Sequence, residues 1–478
     1  MIRNFALFIF LSLATCILCK CTGTGNKKIN QAEELFCKGE FRQAEAILNQ
    51  IRAELKTDSA LDAKAEILEA KIARIRIDFS KNEEQVREEL KPWFPGVDQK
   101  TIDNWEKGKK LEMRHIDGEK RYFRHAVSNL FRIDSLAMKI KERQVDPLAQ
   151  ICLSHTSGIL MDEGNNPQTG GKRYQFRIDY SITVQPDVVP DGETIRCWMP
   201  YPRSLPLRQE NIRLLQVNDE KYHIAPDSSL QRSLYMEKTA KKGQPVVFLY
   251  SAEFETVPVY YLTAGMDIRP YFTRSELFRK YTSERPPHLI FSKEIRQLAA
   301  SLTDGITDPR KKVRQIFTWI DKNIPWASAL EYSIMENIPQ YVLENRHGDC
   351  GMKTLLFMSL ARVSGIPCRW QSGWMLHPGE VNLHDWCEVY YEGVGWVPLD
   401  QSFGLQDADE EDIRYFYASG IDAYRMIVND EYGVRFDPEK KYFRSEPIDF
   451  QRGELEWKGG NLYFDKWDYQ MDVTYLKN

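Results

Sequence analysis

The chain has 478 residues, 42% hydrophobic and 28% charged, with a formal net charge of −4. This is globular composition with apolar material for several cores, about three domains at roughly 150 residues each. Acidic and basic residues are interspersed along most of the chain, which argues against a nucleic-acid-binding body.

The first stretch reads as a targeting segment and not as part of the fold. Arg3 precedes an apolar run from Phe5 to Leu18, and small and polar residues follow. The run is shorter than the about 20 residues that a transmembrane helix needs. It suits the apolar region of a signal peptide over 1–21. Leu13-Ala14-Thr15-Cys16 resembles a bacterial lipobox, with Cys16 as the lipid attachment residue. The expectation is an exported protein of the periplasm or cell envelope, with membrane association through an N-terminal lipid. Cys16, Cys19 and Cys21 lie in this leader, and the other six cysteines show no C-x-x-C spacing. No zinc site is therefore signalled.

Residues 28–145 read as helical. AEELFCKGEFRQAEAILNQI carries Ala32, Leu35, Gly39, Phe41, Ala44 and Leu48, and its G-x-F-x-x-A element resembles the turn inside a tetratricopeptide repeat. A second helical pair is expected from Ala60 to Phe79 and from Ser80 to Leu90, with Ser80 as the cap and Glu83 completing a capping box. Asp117-Gly118 in LEMRHIDGEKRYFR marks a two-residue hairpin turn. The region is expected to be a structural extension, with docking of a protein partner as its functional alternative. Residues 146–171, which contain most of DEGNNPQTGGK, read as a linker.

From 172 to 275 the pattern turns to period two. Tyr174, Phe176, Ile178, Tyr180, Ile182 and Val184 fall on one face, and more short strands follow with Pro and Gly between them. That is a β-sandwich signature. Residues 285–405 mix amphipathic helices with strands. In DPRKKVRQIFTWIDKNI, Val313, Ile316, Phe317 and Ile320 make one apolar face behind the Asp308-Pro309 start. Residues 406–478 read as a β-rich extension packed on that core, with a hairpin around Gly459-Gly460.

The chemistry concentrates in RHGDCGMKTLLFMSLARVSGIPCR. Met352, Leu355, Leu356, Ser359, Leu360 and Val363 follow the helical period, and Gly365 and Pro367 end the helix. Cys350 then stands at the helix N-terminus, where free N–H groups and the macrodipole favour an anion. A thiolate there is expected to have a lowered pKa. Gly348 and Gly351 are expected to leave room for a substrate carbonyl, with the Cys350 N–H as an oxyanion donor. Cys368 and Cys387 read as core residues.

A thiolate nucleophile needs a base and a group that orients it. Strands from His384 to Tyr390 and from Val394 to Asp400 flank the loop Tyr391-Glu392-Gly393. With Tyr390 opposite Val394, His384 falls directly opposite Asp400. A two-residue loop would instead pair His384 with Gln401 and put His384 and Asp400 on opposite faces. Gln340 is a candidate second oxyanion donor. His347 and Trp386 are cleft candidates, and His377 lies in the loop LHPGEVN, a candidate lid. No P-loop or dinucleotide fingerprint is present, and neither cofactor nor metal is expected.

These blocks together resemble the transglutaminase-like superfamily of papain-like cysteine enzymes. The matching residues are Gly348-Asp349-Cys350, the L-L-F-M-S-L-A-R-V-S-G-I-P-C-R that ends at Arg369, H-D-W-C-E-V-Y from His384 to Tyr390, and G-W-V-P-L-D from Gly395 to Asp400. The resemblance covers roughly residues 290–405. It implies Cys350 as nucleophile, His384 as base and Asp400 as orienting carboxylate. Family members commonly have Ala where this chain has Cys368, and often Ala where it has Asp385, which puts another carboxylate near the cleft mouth. The implied architecture is α+β: a transglutaminase-like, papain-like catalytic core, preceded by a β-sandwich and an α-helical N-terminal region. The implied chemistry is acyl transfer on peptide or amide bonds through a thioester on Cys350, with a protein or peptide substrate. Hydrolysis is favoured over crosslinking, since nothing in the sequence marks an amine site. A binding protein that retains the fold without turnover is the alternative of another class.

Overall fold

The computed structural model describes residues 26–54, 59–140, 147–162, 170–262 and 265–477. The leader, with Cys16, lies outside these residues. The chain divides into two units, 1–143 and 144–478.

The first unit is helical. Helix α1 (26–38) and α2 (Phe41–Glu54) are joined at Gly39, which has φ 77°. A Cβ on Gly39 would lie 2.2 Å from the His115 carbonyl oxygen, so only glycine lets the hairpin approach this turn. Phe41 and Ala44 are buried beside it. Helix α3 (Ser59–Asp78) follows, then α4 (Glu83–Leu90) and α5 (Gln99–Lys107). The capping box of α4 is made by Asn82 and Gln85, not by Ser80 and Glu83. Asn caps as well as Ser, and the helix simply begins two residues later. Strands β1 (Met113–Ile116) and β2 (Glu119–Tyr122) form the expected hairpin, with Asp117 and Gly118 both at positive φ. Short helices α6 (Ala126–Ile133) and α7 (Ser135–Ile140) close the unit.

The second unit opens with helix α8 (Pro147–Met161), where the sequence suggests a linker. Cys152, Thr156 and Ile159 are buried along one side of it. The run of glycine, asparagine and proline that signals a linker starts only at Gly164, beyond the end of this helix. Strands β3 (Tyr174–Val184), β4 (Thr194–Pro200), β5 (Gln209–Val217), β6 (Tyr222–Ile224), β7 (Ser233–Thr239) and β8 (Val246–Thr256) come next. In β3 every second residue is buried, as period two requires. A two-residue strand β9 (Val259–Tyr260) and helices α9 (Glu276–Tyr281), α10 (Lys293–Thr303), α11 (Pro309–Asn323), α12 (Ile338–Asn345) and α13 (Cys350–Val363) follow.

The remaining strands are β10 (Cys368–His377), β11 (Glu380–Tyr391), β12 (Gly395–Leu399), β13 (Gly420–Ile421), β14 (Arg425–Asn429), β15 (Glu454–Trp457), β16 (Gly460–Leu462) and β17 (Trp467–Lys477). A four-stranded antiparallel sheet in the order β12-β11-β10-β14 carries helix α13 on one face. The C-terminal strands do more than pack on this core. β17 pairs along β3, and β15 pairs with β4, giving sheets in the orders β17-β3-β8-β5 and β16-β15-β4-β7-β6. Without them β3 and β4 would be bare edges. The β15–β16 turn is Lys458-Gly459, because Trp457 pairs with Gly460. One apolar core runs from Phe176, Tyr180 and Trp198 to Trp374 and Met426 of the β12-β11-β10-β14 sheet. The molecule is thus a mixed helix-and-sheet protein with a helical N-terminal region and a sheet-rich C-terminal part.

Candidate active site

Cys350 is the first residue of α13, and Asp349 is its N-cap. Asp349 Oδ1 accepts from the Met352 N–H at 3.0 Å and from the Tyr332 hydroxyl at 2.5 Å. Cys350 is half-buried at a cleft of about 240 Å³ whose lining includes Trp326, Tyr332, Asp385, Asp449 and Arg452. Its Sγ lies 3.4 Å from Asp385 Oδ2. Burial, then the negative charges of Asp385 and Asp349, push the thiol well above the ordinary cysteine value. The helix start alone implied a lowered pKa. Here the N-cap is a carboxylate that consumes the N–H dipole, and a second carboxyl faces the sulfur, so the resting group is a thiol.

Nor does Gly351 leave open space. A Cβ there would lie 2.2 Å from the Tyr332 hydroxyl and 2.6 Å from Asp385 Oδ2. The glycine lets these two side chains close over the helix start. At Gly348 a Cβ would fall 2.8 Å from the Met352 Cβ, so this glycine too is filled by its own surroundings.

His384 and Asp400 meet across the β11–β12 hairpin. His384 Nε2 is 2.7 Å from Asp400 Oδ2, with both side chains buried. The register is not the expected one. Tyr391 pairs with Gly395 and Cys387 with Leu399, so the loop is Glu392-Gly393-Val394 and Asp400 continues toward Trp386. The shift is two residues, an even number, which keeps Asp400 on the face of His384. The contact is therefore diagonal, within reach of an imidazole.

Asp400 is held from three more directions. Its Oδ1 accepts from the N–H groups of Ser402 and Phe403, and Arg425 Nη1 donates to its Oδ2 at 2.8 Å. Arg425 also donates from Nη2 and Nε to Asp422 at 2.7 and 3.1 Å. Burial opposes ionisation of Asp400, but His384 and Arg425 outweigh it and bring its carboxyl down to about 2. For His384, burial outweighs the attraction of Asp400, and the imidazole is held below its ordinary value. A neutral imidazole with one nitrogen fixed by a carboxylate is a competent proton acceptor at its other nitrogen, Nδ1.

The opposite wall is acidic. Gln451 Nε2 donates to Asp385 Oδ1 at 2.6 Å and to the His384 carbonyl at 2.8 Å. Arg452 Nη1 and Nη2 reach the two Glu331 oxygens at 3.3 and 3.0 Å, and its Nε reaches Glu446 at 3.0 Å. Burial raises Asp385 and Asp449 well above the carboxylate range, and each is raised further by neighbouring carboxyls. Burial also lifts Asp349 to about 6 and Glu446 to about 7.

The other residues singled out in the sequence lie elsewhere. Gln340 Oε1 accepts from Ser292 and its Nε2 donates to Glu344. It is not among the cleft-lining residues, because α12 turns that side chain toward α10. His347 is buried against the Tyr341 ring, and burial lowers it to about 4; it does not line the cleft. Trp386 is fully buried beneath His384, with ring centroids 6.0 Å apart, and its Nε1 donates to Gln371. It supports the imidazole and does not line a channel. His377 is no lid residue: it ends β10, buried beside Phe403 and Asp422. Cys368 and Cys387 are core residues. Tyr332, Arg425, Asp449, Gln451 and Arg452 carry no local motif. Four of the five come from the C-terminal 60 residues, and only their fold neighbours reveal them.

Residues 296–401 match the family model of the transglutaminase-like superfamily. Among curated proteins, the uncharacterized protein YebA of Bacillus subtilis (strain 168) is 26% identical over 131 residues, covering 23% of this chain and 18% of YebA. The match thus spans less than a fifth of that relative. Solved structures similar to this chain include a candidate cysteine protease from Cytophaga hutchinsonii, with TM-score 0.43, 15% identity and coverage of 64% of this chain and 92% of that one. Another is the periplasmic domain of TgpA from Pseudomonas aeruginosa, with TM-score 0.25, 14% identity and coverage of 56% and 94%. The family match falls on the segment that holds Cys350, His384 and Asp400, and with it residues 296–401 are assigned to the transglutaminase-like superfamily.

Proposed function

We propose that this protein is a cysteine-dependent hydrolase of peptide or amide bonds, exported to the periplasm or cell envelope. The observation that carries this reading is the buried His384–Asp400 pair on β11 and after β12, with β11 also bringing Asp385 to the Cys350 thiol where it opens onto a cleft. In this reading His384 Nδ1 takes the thiol proton as Sγ attacks the carbonyl carbon. The C–N bond breaks, the amine leaves with that proton, and water then cleaves the thioester to regenerate the thiol. Asp400 stays ionised and stabilises the imidazolium formed in both steps. The leader expected at 1–21 supports the exported location.

A fluorogenic peptide library tests the reading. The wild-type chain is expected to release fragments that Cys350→Ala does not. His384→Ala is expected to lower kcat by about 10²–10⁴, the usual contribution of a positioned base. Identical fragment profiles from wild type and Cys350→Ala would overturn the hydrolase assignment.

A further inference from the structure

Two buried carboxyls lie beside His384 in opposite surroundings. Asp400 is completely buried and meets His384, Arg425 and two main-chain N–H groups. Asp385, the next residue along β11, is 1% exposed. Its hydrogen-bond partners are uncharged: the Gln451 amide at 2.6 Å and the Cys350 thiol at 3.4 Å. Among the described residues no ion pair reaches it. Arg452, in the same cleft wall, is taken by Glu331 and Glu446. A buried carboxylate without a cation is costly, so the neutral acid is the cheaper form. Burial, then the carboxyls of Asp449, Asp349 and Glu446, favour that form too.

The hydrogen bonds also fix which oxygen carries the proton. Gln451 Nε2 donates to the His384 carbonyl at 2.8 Å. A main-chain carbonyl only accepts, so this nitrogen is the amide NH2, and its other hydrogen goes to Asp385 Oδ1. The better acceptor of a neutral acid is its carbonyl oxygen. The proton therefore sits on Oδ2, the atom that faces Sγ. Gly351 permits this approach, since a Cβ there would lie 2.6 Å from Oδ2.

Building on the acyl-transfer reading above, we propose that Asp385 is a catalytic residue that works as a neutral acid, its Oδ2–H donating a hydrogen bond to the Cys350 sulfur and stabilising the thiolate that attacks the carbonyl carbon. His384 takes the thiol proton, and Asp385 keeps its own throughout the cycle. An ionised carboxylate at the same place would repel the thiolate, so Asp385 helps only while protonated. The two carboxyls beside His384 divide the work by charge state, Asp400 as anion and Asp385 as acid.

The test uses the full chain and reads Cys350 directly. Labelling by uncharged methyl methanethiosulfonate is followed across pH by peptide-resolved mass spectrometry, and the midpoint of the rate profile reports thiolate formation. In Asp385→Asn the Gln451 bond places the amide Nδ2 where Oδ2 stands, so a donor that cannot ionise faces Sγ. Asp385→Leu keeps the volume and has no donor. The Leu midpoint is expected about one pH unit or more above the Asn midpoint, a loss of about tenfold in thiolate at a given pH. Coinciding midpoints overturn the donor. So does an Asp385→Asn chain that does not fold, because the amide is isosteric with the neutral acid. Should Asp385→Leu not fold, Asp385→Ala supplies the donor-free comparison. In a second arm the same variants are given the peptide library. Asp385→Asn is expected to cleave about tenfold faster than Asp385→Leu, and equal loss in both overturns a neutral acid in turnover. If no peptide is cleaved while the midpoints stay apart, the hydrolase reading fails and the hydrogen bond to the thiolate stands.

Discussion

Asp400 shows how the geometry of a candidate site can depend on a residue that no motif marks. Its position after a strand is readable from the sequence, but its ionised state rests on His384 and on Arg425, which comes from β14 and shares itself with Asp422. Replacing Arg425 with Met would leave two buried carboxylates without a cation. We expect a loss of about 3–5 kcal/mol, read from the urea midpoint; a shift below about 1 kcal/mol would contradict this role. The acidic wall adds a pH signature. Asp349 and Glu446 are raised to about 6 and about 7 from ordinary values of 3.8 and 4.5. The folded state therefore holds their protons more tightly than the unfolded one. Their contribution is complete below about pH 4 and is lost as pH rises through 6 and 7. Asp400 acts oppositely: its contribution is present above 3.8 and is lost only as pH falls toward 2. His347, lowered to about 4, gains stability as pH rises over part of the same window, so the carboxyl effect is read as a difference: Glu446→Gln is expected to lose less stability than wild type in thermal melts between pH 5 and pH 8.

Among the elements, the β12-β11-β10-β14 sheet positions His384 and its carboxylate partner, and parity matters more than exact register. The hairpin slips by two residues from the expected pairing, yet His384 and Asp400 still share a face because side chains alternate with period two. A slip of one would have separated them. On the far side, Gly373 sets how closely β14 can approach. A Cβ there would lie 1.9 Å from the Met426 carbonyl oxygen. Gly373→Ala should push β14 away and destabilise by about 1–3 kcal/mol, the range for overpacked sites. Faster hydrogen exchange of the β14 amides would report it, and unchanged protection would refute it.

For the whole second unit, the C-terminus is a structural partner of distant strands. β17 runs antiparallel to β3 from Trp467↔Val184 to Lys477↔Gln175. Removing residues 467–478 should expose that edge and abolish cooperative unfolding of the unit, rather than trim a loose tail. A circular-dichroism melt that keeps the full-length transition would show otherwise.

Periodicity alone determined much of this protein. The alternation in β3, the helical face behind Cys350, and the order of cysteine, histidine and aspartate were all legible because they are local patterns in a one-dimensional string. The family resemblance of residues 290–405 rested on those same blocks. What only the tertiary structure decided is the environment of the thiol. Helix-start electrostatics predicted a stabilised thiolate, but burial, and the carboxyls of Asp385 and Asp349 brought together from two separate segments, hold the proton on. Gln340, sensible as an oxyanion donor by sequence position, is turned away by the direction of α12. Burial and charge pairing depend on neighbours brought in from far along the chain, so the sequence named the candidate groups while the fold set the charge state in which they stand.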